Sequence, residues 1–109
     1  MTPKEAADYI LSGGTLTRGK LAECFKRLGF EVGDVRQKRT YWAITLCHTS
    51  DTGEKLTVSA CFGGEGKSRC CLGFHCHRNG ASCHWRAAHE MIEEIAEALE
   101  TENGAVPSA

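Results

Sequence analysis

The chain reads as an α+β domain, a two-layer sandwich in which helices cover one face of an antiparallel sheet of three to four strands. Two observations carry that reading. Between Tyr41 and His77, three runs alternate apolar and polar residues: Trp42, Ile44 and Leu46; Leu56, Val58, Ala60 and Phe62; Cys70, Leu72, Phe74 and Cys76. Such alternation is what a half-buried strand requires, because successive side chains point to opposite faces. On either side of that stretch, apolar residues recur at the spacing of a helix with one buried stripe. The resulting order, α-α-β-β-β-α, segregates helices into one layer and strands into the other.

Taken in order, Thr2 caps a helix from Pro3 to Leu11, with Pro3 in the first turn and Glu5 closing a capping box. Ser12-Gly13-Gly14 ends it. Thr17 caps a second helix from Arg18 to Leu28, where Leu21, Cys24, Phe25 and Leu28 make the stripe and Gly29 supplies the left-handed stop. Phe30-Glu31-Val32 opens a short additional strand, and the basic segment Arg36-Gln37-Lys38-Arg39 leads into the meander. Thr49 to Gly53 is a hairpin loop, Gly63 to Ser68 a glycine-rich mobile connection, and Asn79-Gly80 closes the third run. Ser82 then caps a last helix from Cys83 to Glu100, with Trp85, Ala88, Met91, Ile92, Ile95 and Leu99 as its buried stripe. Residues 1–100 form a single domain, and 101–109 read as a frayed tail.

A chain of 109 residues is enough for one core and too short for two. No apolar run approaches the roughly twenty residues that span a bilayer, and no charged-then-apolar leader opens the chain, so a cytoplasmic protein is expected. Seven cysteines then read as reduced thiols, with Cys24, Cys70 and Cys76 on apolar faces as small hydrophobes. The net charge of −1 conceals a polarity. Cations dominate the first half, whereas the last helix carries Glu90, Glu93, Glu94, Glu97 and Glu100 against Arg86.

Five arrangements bear on chemistry. Gly63-Gly64-Glu65-Gly66-Lys67-Ser68 imitates a phosphate-binding loop, but Cys61 stands where its first glycine belongs and a strand follows instead of a helix. Cys47, Cys61, Cys71, His75 and His77 have the parity opposite to the core and so gather on the outer sheet face. They are zinc-type donors, yet no Cys-x-x-Cys pair accompanies them, and the chain commits to no metal or cofactor. Cysteine–histidine catalysis needs a thiolate beside a base, and no pair is singled out, so no catalytic residue is assigned. Arg18, Lys20, Arg36, Lys38, Arg39 and Tyr41 combine phosphate-neutralising charge with an aromatic that can stack on a base. Finally, Glu90–Glu94 and Glu93–Glu97 repel at i, i+4, and Glu97 and Glu100 lie toward the negative end of the helix dipole. Retained repulsion points to a basic partner surface, such as one that otherwise holds nucleic acid.

Leu28-Gly29-Phe30, Val35-Arg36-Gln37-Lys38, the Asp51–Gly53 turn and the Leu56–Val58 strand together resemble the HicA toxin family. The resemblance spans Lys20 to Gly64 and implies a double-stranded-RNA-binding-like fold and ribonuclease activity. That family's catalytic histidine lies at the start of its second strand. The matching place here, Lys38-Arg39-Thr40-Tyr41-Trp42, has none, and the role does not pass to His48. The expected function is therefore a non-enzymatic binding module, a regulator or inhibitor of a protein or nucleoprotein partner acting through Glu90, Glu93, Glu94 and Glu97. Its size and charge match, as a class, small inhibitors carried by phages and mobile elements, anti-CRISPR proteins among them. The alternatives are an RNA-binding or RNA-cleaving domain using the basic residues, and a zinc-stabilised domain.

Overall fold

A computed structural model describes residues 1–12, 16–37, 39, 41–63 and 70–104. Its elements are α1 (Pro3–Leu11), α2 (Arg18–Arg27), β1 (Glu31–Gln37), β2 (Trp42–Thr49), β3 (Lys55–Gly63), β4 (Cys70–Arg78), β5 (Ala81–Cys83) and α3 (Trp85–Gly104). The five strands form one antiparallel meander in sequence order. This is the expected α+β class with more strands than the alternation alone revealed.

The three helices share a single core with one face of the sheet. Ile44 and Leu46 of β2, Leu56, Val58, Ala60 and Phe62 of β3, and Cys76 of β4 are buried against Ala6 and Ile10 of α1, Leu21 and Phe25 of α2, and Ala88, Ile92 and Ala96 of α3. Removing each large apolar side chain from water contributes about 1.5–3 kcal/mol, which offsets the entropy of ordering the chain. Aromatic rings tie the layers together. Phe30 meets Phe25 edge to face at 4.9 Å, Phe25 leans on Phe74 at 6.4 Å, and Phe74 stacks on Trp85 at 4.5 Å and 9°. The row runs from the entry of β1 through α2 to β4 and the first turn of α3.

Local chemistry sets the boundaries. The Thr2 capping box is present, and Thr17 Oγ1 accepts the Lys20 N–H at 3.3 Å. Gly29 takes φ 85° after α2, the left-handed stop that its position required. Strand β1 is longer than expected because it contains a bulge. Val32 pairs with Leu46 and Val35 with Ile44, so Gly33 and Asp34 together stand opposite Thr45. The extra residue restores both valines to the core-facing side. A Cβ on Gly33 would lie 3.0 Å from the Thr45 carbonyl oxygen, which is why glycine occupies the bulge.

Three expectations are corrected. Ser82 does not cap the last helix: Asn79 (φ 51°) and Gly80 (φ 85°) make a turn with both central residues left-handed, whose twist suits a hairpin, and Ala81–Cys83 fold back as β5. Helix α3 starts at Trp85, behind His84, whose Nδ1 accepts the Arg86 N–H at 3.3 Å. It continues to Gly104, so the expected tail is helical over its first four residues, and 105–109 lie outside the described residues. The strict alternation of β4 also fails, because pairing shifts between Cys61, which faces Gly73, and Phe62, which faces Cys71. Leu72 is thereby the extra residue of a second bulge. The glycine-rich connection at 64–69 lies outside the described residues.

Candidate functional site

Helix α3 buries Ala88, Ile92 and Ala96 and turns Glu90, Glu93, Glu94 and Glu97 to solvent. The heptad-like spacing that makes one stripe apolar makes the opposite stripe acidic, so burial itself displays the carboxylates. His89 Nδ1 lies 3.6 Å from Glu93 Oε1. Among the described residues, no ion pair engages Glu90, Glu94 or Glu97.

Glu100 has a different task. It is half-buried, and its carboxylate accepts the backbone N–H of Lys4 at 3.1 Å. Helix α1 opens with Pro3, which has no N–H, and Thr2 Oγ1 takes the N–H of Glu5, so Lys4 carries the one first-turn donor that α1 cannot satisfy itself. Glu100 fills that place at the positive end of the α1 dipole. Its position near the end of α3 is therefore compensated from another helix, which the charge count along α3 could not show. The Thr2 backbone N–H in turn donates to the Glu5 carboxylate at 3.0 Å and holds that group below the usual carboxylate range.

Two grooves flank the acidic stripe. One, about 690 Å³, lies between α1 and α3 and is lined by Lys4, Asp8, Glu93, Glu97 and Glu100 over Ala7 and Ala96. The other, about 400 Å³, lies between α3 and the β2–β3 hairpin, with Met91, Ile95 and Leu99 beneath His48, Asp51 and Glu94. Burial beside Phe30, whose ring is 5.1 Å away, pushes the His48 imidazole below its ordinary value, opposed by Asp51. Glu54 in the same hairpin is committed to an ion pair with Arg78. Carboxylates thus continue from α3 onto both of its neighbours, an extension that sequence order hides and only packing reveals.

The basic residues are spread over separate elements. Arg18 and Lys20 open α2, Arg36 is in β1, and Arg39 and Tyr41 lie in the link to β2. Arg18, Arg36, Arg39 and Tyr41 are exposed, while the Lys20 ammonium sits 4.3 Å from the centre of the Tyr9 ring. Lys38 lies outside the described residues. No hydrogen bond or ion pair links these residues to one another among those described.

The outer sheet face carries Cys47, Cys61, His75 and His77, but register spreads them over successive rows. Cys47, Thr57 and His77 share one row, Ser59 and His75 the next, and Cys61 faces Gly73. Strand β3 separates Cys47 from His77 by two interstrand spacings, about 9–10 Å of backbone, with Thr57 standing between them. No group of three or more metal-type donors converges among the described residues. Cys71 lies beyond the shifted pairing, and its side chain is outside those described. The thiols that do meet are Cys76 and Cys83. Burial, then the neighbouring Cys83, push the Cys76 thiol up to about 11, and burial also raises Cys24. The sequence expectation puts Cys83 in a helix; Asn79-Gly80, with both residues left-handed, is the hairpin signal that brings it opposite Cys76 instead.

No helix among the described residues is long and apolar enough to cross a membrane. No protein family model, curated protein or solved structure matches this chain.

Proposed function

We propose that the chain is a non-enzymatic binding module, a regulator or inhibitor that docks its acidic α3 face against a basic surface of a protein or nucleoprotein partner. The observation that carries this is the stripe of Glu90, Glu94 and Glu97, exposed and without an ion pair among the described residues. These side chains gain nothing inside the fold, and Glu90 and Glu94 repel each other at i, i+4. A cationic groove shaped for phosphates would turn that repulsion into attraction and steer association over several ångströms. Asp8 and Asp51, on the walls of the two flanking grooves, widen the same negative field.

The test is a purified variant with Glu90→Lys, Glu93→Lys, Glu94→Lys and Glu97→Lys, checked for native circular dichroism and used as bait beside the wild type. Host proteins captured by the wild type should be lost from the variant, and their retention on the wild type should fall steeply between 50 and 300 mM salt, a range that shortens the Debye length from about 14 to 6 Å. Equal capture by both baits would dismiss the acidic face as the docking surface. The competing reading, RNA contact through Arg18, Arg36 and Arg39, predicts salt-sensitive RNA binding that these α3 substitutions strengthen.

A further inference from the structure

Two thiols oppose each other across the last hairpin. Counting outward from the Asn79-Gly80 turn, Arg78 pairs with Ala81, His77 with Ser82, and Cys76 with Cys83. Opposed residues in an antiparallel ladder alternate between hydrogen-bonded and non-hydrogen-bonded sites. The pair flanking a two-residue turn is hydrogen-bonded, so the third pair is as well, with Cα atoms about 5.5 Å apart. Disulfides span Cα distances of about 4.4–6.8 Å and most often about 5.5–6 Å. Both cysteines are free thiols, Cys76 buried at 4% exposure and Cys83 half-buried on the three-residue edge strand.

We propose that Cys76 and Cys83 are a redox-active dithiol that closes reversibly into a cross-strand disulfide by exchange with a low-molecular-weight disulfide such as oxidised glutathione. Cys83, the more accessible thiol, loses its proton, and its Sγ attacks one sulfur of the small disulfide. That S–S bond breaks, one glutathione thiolate leaves and takes up a proton, and Cys83 carries a mixed disulfide. Cys76 then loses its proton and attacks Cys83 Sγ, expelling the second glutathione. Two protein thiols are oxidised and one small disulfide is reduced to two thiols, with protons conserved. The order is set by burial, since a thiol pushed up to about 11 is a poor nucleophile at neutral pH until its target is held beside it.

The same geometry makes the bond reversible. Opposed Cβ atoms in a sheet are about 4.5–5.5 Å apart, wider than the mean of about 3.8 Å across a disulfide, so closure draws the strands together and stores strain. Strained disulfides are the readily reduced ones. The switch acts on a short lever: β5 leads through His84 into Trp85, which stacks on Phe74 of β4. Oxidation clamps the start of α3 to the sheet, whereas in the reduced state β5 joins β4 through three ladder pairs with no covalent link.

The experiment treats the full-length chain with oxidised or reduced glutathione, blocks free thiols with iodoacetamide and digests with trypsin without reduction. Cleavage after Arg78 and Arg86 leaves Cys83 as the sole cysteine of 79–86 and puts Cys76 on the peptide ending at Arg78. The two peptides should be joined, two hydrogens lighter than their sum, after oxidation and separate after reduction. Fragmentation of the joined peptides should place the bond on Cys76, and Cys76→Ser should abolish it. Cys83 found alkylated after oxidation, or joined to Cys70 or Cys71, overturns the proposal. Should Cys76→Ser fail to fold, Cys83→Ser decides the matter by melting: oxidation should raise the wild-type Tm by several degrees and leave the variant unmoved. An equal response in both would refute it.

Discussion

Replacing Glu100 by alanine separates the structural carboxylate of α3 from those proposed to bind a partner. In the native chain Glu100 accepts the Lys4 N–H at 3.1 Å, at the one first-turn position of α1 that neither Pro3 nor the Thr2 side chain covers. Loss of a helix-capping acceptor costs about 0.5–2 kcal/mol. The Lys4 amide lies at the surface, where water replaces the acceptor, so the lower part of that range applies, about 0.5–1 kcal/mol. With 109 residues at about 2.1 cal/mol/K each, the unfolding entropy is about 230 cal/mol/K, and the loss corresponds to a Tm lower by about 2–4 °C. Differential scanning calorimetry resolves such a shift. Glu94→Gln is the control: it is exposed, it relieves repulsion with Glu90, and its Tm should hold or rise by at most about 2 °C. If Glu100→Ala melts with the wild type, or if Glu94→Gln falls as far, the division of labour along α3 is wrong.

Other outcomes follow from the packing. Phe25→Ala empties a fully buried site between Phe30 and Phe74 and should cost about 3–5 kcal/mol, visible as a urea midpoint well below the wild type with unchanged slope. Gly33→Val forces a branched side chain against the Thr45 carbonyl at the β1 bulge; about 1–3 kcal/mol should be lost in the same assay, and a neutral result would mean that β1 pairs otherwise. His48 has a folded-state value below the ordinary one near 6.5, so the unfolded chain takes up its proton first. Its contribution to stability is present above pH 6.5 and declines as the pH falls through that value. A Tm profile from pH 7.5 to 5 should therefore slope downward on the acid side, and His48→Gln should flatten that segment. A profile unchanged by the substitution would place the titrating group elsewhere.

What the sequence disclosed and what it concealed divide along physical lines. Local chemistry was legible: the Thr2 capping box, the Thr17 cap, the Gly29 stop and the alternation of β2 and β3 each depend on neighbours within a few residues, and each stands in the structure. Features that depend on a distant partner were not. The β1 bulge hides Val35 from a period-two reading, since Val32 and Val35 share a face only because Gly33 and Asp34 together oppose Thr45. Ser82 looked like a cap because serine favours that place, but the left-handed Asn79-Gly80 turn outweighed it and made a strand. The acidic stripe was readable because a helix displays what it does not bury. The role of Glu100 was not, because its partner is 96 residues away. The basic residues divide in the sequence between the second helix and the segment before the meander, and the structure adds that Arg36 belongs to β1.

The bond from Lys4 to Glu100 also bears on how the chain is made. Helix α1 is only nine residues long, too short to hold together alone, and the acceptor that completes its first turn belongs to the last helix. In chain order α1 therefore gains the acceptor for its Lys4 amide only once α3 has formed and docked against it. Glu100→Ala should therefore speed hydrogen exchange at the Lys4 amide while the β2–β3 pairing keeps its protection.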